Sequence, residues 1–144
     1  MDTRDRQIVA LLERDARAGY ADIGAAVGLA ASSVHDRVRK LERQGVIRGY
    51  RAEIDMEKAG YPITAIVSLA LRPASPQDIV QRVEEFDLVE SCYSVAGDNS
   101  YALFVRAPST KELETLLDAL RSKLEVVTRA TIVLSTPFEH RPMI

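Results

Sequence analysis

Gly28 stands between two short apolar stripes, and that punctuation restricts the first third of the chain more than any other feature. Before it, Ile23, Ala26 and Val27 share one face of a segment starting near Tyr20. The glycine itself suits the left-handed backbone of a tight helix exit. After it, Val34, Val38 and Leu41 recur at i, i+4 and i+7, the buried stripe of a helix over Ala31–Gln44 that Gly45 closes. Upstream, Asp2 is placed to cap a helix running to about Asp15, with Asp5 near the positive end of its dipole and Ile8, Leu11 and Leu12 inward. A supporting helix followed by helix, glycine turn and helix is the helix-turn-helix plan.

With its stripe turned inward, the third helix presents Ser32, Ser33, His35, Asp36, Arg37, Arg39 and Lys40. Serine and histidine near a helix start are short enough to approach base edges. Arg37 and Arg39 reach bases or phosphates, and arginine matches the guanine edge. Arg48 and Arg51 follow on a segment, Val46–Ile54, whose alternation predicts a short strand. The net charge of −2 conceals an uneven distribution: residues 1–52 hold ten Lys/Arg against seven Asp/Glu, residues 53–144 nine against fourteen. A local basic patch holds DNA phosphates even on a mildly acidic protein, because the local field decides. Ser32, Ser33, His35, Asp36, Arg37, Arg39, Lys40, Arg48 and Arg51 are therefore the expected DNA contacts, and double-stranded DNA the expected partner.

Asp55 to Pro62, with Gly60, reads as a linker. Beyond it a β-rich run, Ile63–Arg72, leads to a helix for which Ser75 is a candidate cap with Pro76 at its first position; Ile79, Val80, Val83 and Phe86 supply its apolar face. A strand over Val89–Ala96, a turn at Gly97–Ser100 and a strand over Tyr101–Ala107 come next. Ser109 and Glu112 open another helix as a capping box, with Leu113, Leu116, Leu117, Leu120 and Leu124 along one side, and Val126–Ser135 is the last strand. The order βαββαβ predicts a ferredoxin-like sheet, so the chain is α+β: residues 1–50 helix-turn-helix, 51–62 strand and linker, 63–144 the βαββαβ domain. Ile63–Leu71 and Tyr101–Val105 are apolar at nearly every position, the pattern of strands covered on both faces. Helices cover one face only, so a second copy is expected on the other, as a homodimer that also suits two DNA half-sites.

Composition is that of a soluble globular chain, and no apolar run approaches the ~20 residues of a membrane span. The charged start, Met1-Asp2-Thr3-Arg4-Asp5, is unlike a secretory leader, so a cytoplasmic location is expected. Cys92 is the single cysteine and reads as a small buried side chain. His35 and His140 are the only histidines; no nucleophile–base pair, phosphate loop or metal-spaced cluster accompanies them, so neither an enzyme nor a cofactor or metal is expected.

Five stretches together resemble one family over essentially the whole chain: Asp5-Arg6-Gln7-Ile8-Val9, Val27 to Glu42 through the glycine turn, Gly45-Val46-Ile47-Arg48-Gly49-Tyr50, Val95 to Tyr101, and Thr131 to Ser135. The sequence is similar to the Lrp/AsnC, or feast/famine, transcription regulators, and Val89 to Gly97 to the actinobacterial branch that regulates alanine dehydrogenase. The resemblance implies a RAM/ACT-like C-terminal domain, assembly beyond the dimer to an octamer, and a small amino acid as effector bound near the glycine hairpin at contacts between dimers. It implies Ala96, Gly97, Asp98, Asn99, Ser100, Tyr101, Ser135 and Thr136 as ligand-binding residues. Backbone N–H groups at a glycine hairpin make a small nest for a carboxylate, although Gly, Asp and Asn also favour a plain turn. Two positions depart from the family. Ala30 replaces the usual serine cap, a role open to Ser32 if the helix starts later, and Ser100 replaces an aspartate suited to a ligand's ammonium. Asp98 then takes the ammonium, or the ligand adopts another pose, or the protein is an architectural DNA binder without ligand. Siroheme decarboxylases, which resemble this family in both domains and use histidines, are disfavoured because His35 lies on the third helix and His140 in the tail after Pro137, neither in the interior of the sheet domain.

Overall fold

A computed structural model describes residues 1–143, and its contacts divide the chain into two units: Met1–Glu53 with the tail from Pro137, and Ile54–Thr136. The first unit holds α1 (Thr3–Arg14), α2 (Tyr20–Val27) and α3 (Ala31–Arg43). Ile8, Leu12, Ile23, Val27, Val34 and Val38 form its buried centre, with Leu11, Tyr20 and Ile47 packed around it. Each such aliphatic side chain contributes about 1.5–3 kcal/mol by leaving water, which offsets the ordering of three short helices. Gly28 takes φ 69° and ψ 44°, the left-handed exit expected of it. Gly45, also at φ 69°, ends α3, where the Val46 N–H donates to the Leu41 carbonyl at 2.9 Å in a Schellman closure.

Val46–Ile54 is not a strand. A strand needs a ladder partner for its backbone groups, and among the described residues this segment has none. Ser32 does not cap α3: the helix starts at Ala31 on Ala30, which offers no side-chain cap.

The second unit is one antiparallel sheet under two helices. Its elements are β1 (Ile63–Leu71), α4 (Ile79–Glu84), β2 (Val89–Ser94), β3 (Tyr101–Ala107), α5 (Thr110–Leu124) and β4 (Val126–Ile132), with strand order β2-β3-β1-β4. Alternation along the strands sorts the faces. Ala65, Val67 and Leu69 of β1 with Leu103, Val105 and Ala107 of β3 point under the helices, where Ile79, Val83, Leu113, Leu116, Leu120 and Leu124 meet them. The opposite face carries Ile66 beside Phe104 and Thr131, and Ser68 between Ala102 and Arg129. No element of this unit covers it among the described residues, and Ile66 and Val127 remain 39% and 46% exposed.

The helix after β1 starts later than the Ser75-Pro76 pair suggests. Ser75 accepts from the Arg72 N–H (2.9 Å) and donates to the Glu125 carbonyl (2.8 Å), tying the β1–α4 connection to the α5–β4 connection instead of capping α4. Val80 is exposed and Phe86 lies beyond the helix end. β4 stops at Ile132 although the apolar run continues, because β1 ends as a partner: Ile132 faces Ala65, and the Val133 N–H takes the Thr64 carbonyl as its last bond.

Candidate DNA interface and effector hairpin

Helix α3 is an exposed rod on one side and core on the other. Ser32, Asp36, Arg39 and Arg43 follow each other at i, i+4, i+7 and i+11, all exposed, on the side opposite Val34, Val38 and Leu41. Ser33 and Lys40 flank this stripe on one side and His35 on the other, where its ring meets Tyr20 edge-on with centroids 5.7 Å apart. Arg43 belongs to the stripe yet was not among the expected contacts; extending the i+4 and i+7 spacing by one more turn finds it. Because Ala30 supplies no side-chain acceptor, the first N–H groups of α3 stay open at the positive end of the helix. Arg48 and Arg51 are exposed on the chain leaving α3, while Tyr50 turns back and donates its hydroxyl to Glu42 at 3.0 Å. Burial and that acceptor push the Tyr50 hydroxyl up to about 12.

Arg37 is different from its neighbours. One of its terminal nitrogens donates to Asp2 Oδ2 and Asp5 Oδ1, both at 2.7 Å, and the side chain is one-third exposed. The two carboxylates use their other oxygens on each other's backbone: the Asp5 N–H donates to Asp2 Oδ1 (2.8 Å) and the Asp2 N–H to Asp5 Oδ2 (2.9 Å). Asp5 is the one buried charged residue among those described. These backbone donors and Arg37 hold both carboxyls below the usual aspartate range, and the carboxylates raise the guanidinium in turn.

The turn itself depends on a residue that periodicity does not reveal. The Leu29 N–H donates to the Gly24 carbonyl at 2.9 Å, and a Cβ on Gly24 would lie 2.5 Å from the Leu29 oxygen. A glycine inside an apolar helix face looks like a weak helix position in sequence; only the close return of the chain explains it.

In the second unit, Gly97 adopts φ 132°, and the Val95 N–H closes the hairpin on the Ser100 carbonyl at 3.1 Å. The Ser100 N–H is taken by the Leu69 carbonyl (2.9 Å), whereas those of Gly97, Asp98 and Asn99 have no hydrogen bond among the described residues. Ala96, Gly97 and Asp98 are exposed; Asn99, Ser100 and Tyr101 are half-buried. A Cβ on Gly97 would meet nothing within 4 Å, so glycine is needed there for its backbone and not for room. Ser135 and Thr136 are not beside this hairpin. They follow Val133, which bonds Thr64 near the start of β1, whereas the hairpin bonds Leu69 near its end. Five residues of strand separate the two, about 17 Å. Within one chain that register sets the two hydroxyls toward the other end of β1 from the hairpin.

A cleft of about 450 Å³ between α4 and the end of α5 is lined by Asp78, Arg82, Glu85, Phe86, Lys123 and Leu124. Arg82 there is committed to Asp78 at 2.8 Å, and Lys123 sits over the Phe86 ring. Among the described residues no group of His, Cys, Asp and Glu is arranged for a metal, and no helix is long and apolar enough to cross a membrane.

Both units match known families. Residues 1–42 match the AsnC-type helix-turn-helix domain and residues 64–143 the Lrp/AsnC ligand binding domain. The chain belongs to the Lrp/AsnC family. It is 43% identical to the HTH-type transcriptional regulator LrpA of Mycobacterium tuberculosis over 142 residues, 98% of this chain and 95% of that protein. Among solved structures it is similar to the feast or famine regulatory protein of M. tuberculosis complexed with L-methionine, at 42% identity and TM-score 0.92 over 97% of this chain and 96% of that one. It is also similar to LrpC of B. subtilis, at 29% identity and TM-score 0.86 over 94% and 96%. As a member of the Lrp/AsnC family the chain is a transcriptional regulator that binds DNA through its helix-turn-helix, and not an enzyme.

Proposed function

We propose that this regulator reads DNA with the outer stripe of α3 and answers a small amino acid bound at the Gly97 hairpin, as a homodimer that assembles further. The observation that carries the first part is the exposed stripe Ser32, Asp36, Arg39 and Arg43 behind an uncapped helix start. Ser33, His35 and Lys40 flank the groove contacts, and Arg48 and Arg51 neutralise backbone phosphate. Work on DNA and a lone free cysteine fit a cytoplasmic protein.

The effector reading rests on three free N–H groups at Gly97, Asp98 and Asn99, suited to a carboxylate, and on the Asp98 carboxylate, suited to an ammonium. The relative solved with L-methionine supports an amino acid as the class of ligand. Ser135 and Thr136 reach such a ligand only from a second copy, which fits a site completed by assembly. Residues 1–50 serve DNA, 51–62 connect, and 63–144 serve ligand and assembly.

Titrating each of the twenty amino acids against protein and promoter fragment, while following particle size and DNA affinity, tests the effector reading. One or a few amino acids are expected to shift both, and Gly97→Asp to abolish the shift with the fold intact. Ser100, which brings no charge to the hairpin, favours the alternative of a ligand-independent architectural DNA binder. A flat response to all twenty selects that alternative.

A further inference from the structure

We infer that Arg37 is a positioning residue for DNA recognition: it pins α3 to the start of α1 through Asp2 and Asp5 and does not itself contact the duplex. The inference rests on the reading of α3 as the DNA-facing helix. The geometry ties the guanidinium to the start of α1 by one of its terminal nitrogens. One nitrogen holds two carboxylates at 2.7 Å each. Of the four carboxylate oxygens, two take Arg37 and two take the reciprocal backbone N–H groups that cap α1. Turning Arg37 to a phosphate would strand Asp5, which is buried, without its counter-charge, and an unpaired buried charge is costly. On the helix, Arg37 lies three residues after Val34 and one before Val38, beside the core stripe and away from Arg39 and Arg43. The link spans 32 residues of sequence at its Asp5 end, so it fixes how α3 is rotated and tilted against α1.

The sign of the charges makes the inference testable. If Arg37 served DNA, removing an acidic neighbour would release it and lessen repulsion of phosphate, so binding would tighten. If it positions α3, the same change loosens the reading helix and binding weakens. The test uses the full chain, a duplex selected by the unaltered protein from a random library, and a scrambled duplex of equal length. Asp5→Asn, Asp2→Asn and Arg37→Gln are compared at a temperature where circular dichroism shows each folded. Each is expected to lose site-specific affinity by roughly tenfold, the order of one charge-assisted hydrogen bond. Affinity for the scrambled duplex, and its slope against salt, stay unchanged. Asparagine still caps a helix, so Asp2→Asn, at an exposed position, tests the link even if Asp5→Asn does not fold. The inference is overturned if either aspartate variant keeps or gains site-specific affinity, or if Arg37→Gln lowers the salt slope by about 1 as a lost phosphate contact would. Arg39→Gln is the control: no effect there would remove α3 from the DNA, a failure of the underlying reading and not of this one.

Discussion

At the scale of single residues, three positions packed around α3 do work that their residue types conceal. Gly24 sits in mid-helix, where exchanging glycine for alanine ordinarily gains up to about 1 kcal/mol. Here the sign reverses, because the new Cβ would fall 2.5 Å from the Leu29 carbonyl oxygen. Gly24→Ala is expected to cost about 1–3 kcal/mol through backbone displacement, read as a lower melting temperature of the helix-turn-helix unit. Asp2 and Asp5 add a pH dependence. Each accepts first from the other's backbone N–H and then from Arg37, so each is more acidic folded than unfolded. A depressed carboxyl stabilises above its unfolded value, near 3.9, and the stabilisation disappears as pH falls through the folded value. Melting temperature should therefore drop below about pH 4, and drop less in Asp5→Asn, whose residue 5 no longer titrates. A parallel fall in both proteins would detach the acid sensitivity from this cluster.

At the scale of elements, what sequence made legible depended on whether periodicity was sufficient. The stripe Val34, Val38 and Leu41 located α3 to within a residue, Gly28 marked the end of α2 and Gly45 the end of α3. Leu113, Leu116, Leu120 and Leu124 did the same for α5. Elements whose limits depend on a remote partner were read less well. The alternation of Val46–Ile54 has no ladder to join, and β4 stops where β1 begins rather than where its apolar run ends. The candidate sites divide in the same way. Outward positions of α3 follow from helix geometry alone, but which acids face Arg37 is a tertiary fact. Likewise Ser135 and Thr136 are close to the hairpin in strand count and far from it in register. The outward stripe yields a prediction for the element as a whole. Arg39→Gln is expected to cost about 1–3 kcal/mol on the selected duplex and to relax base preference. Arg48→Gln and Arg51→Gln should weaken all duplexes alike, each lowering the slope of log affinity against log salt by about 1. Binding that is insensitive to salt would remove phosphate from the account.

At the scale of the molecule, the sheet has a covered face and a bare one. The bare face is not polar in the manner of a solvated antiparallel sheet: Ile66, Phe104, Ala102 and Ala70 share it with Tyr93 and Val127. Arg106 crosses it with its charge already paired, to Glu90 at 2.7 Å, its hydroxyl contact with Thr64 at 2.6 Å and its guanidinium 5.2 Å from the Phe104 ring centre. An apolar patch whose central-strand cation is neutralised, with Arg129 at its β4 margin, suits the homodimer proposed above. Ile66→Asp places an unpaired charge at its centre, beside Phe104 and Thr131. Sedimentation is expected to show protomers at micromolar concentration for this variant and larger particles for the unaltered chain, with helix content equal in both. Equal sedimentation would move the contact between copies off the sheet.

The two left-handed glycines that bracket α3 have a consequence for how such a regulator acquires new targets. Helix α3 is set off from α2 by backbone geometry at Gly28, stopped by Gly45, and held from behind by Val34, Val38, Leu41 and Arg37. None of these duties falls on Ser32, Asp36, Arg39 or Arg43. Those four can be exchanged together at little cost to folding, so a duplicated copy of this chain can drift to a different operator while its architecture stays constant.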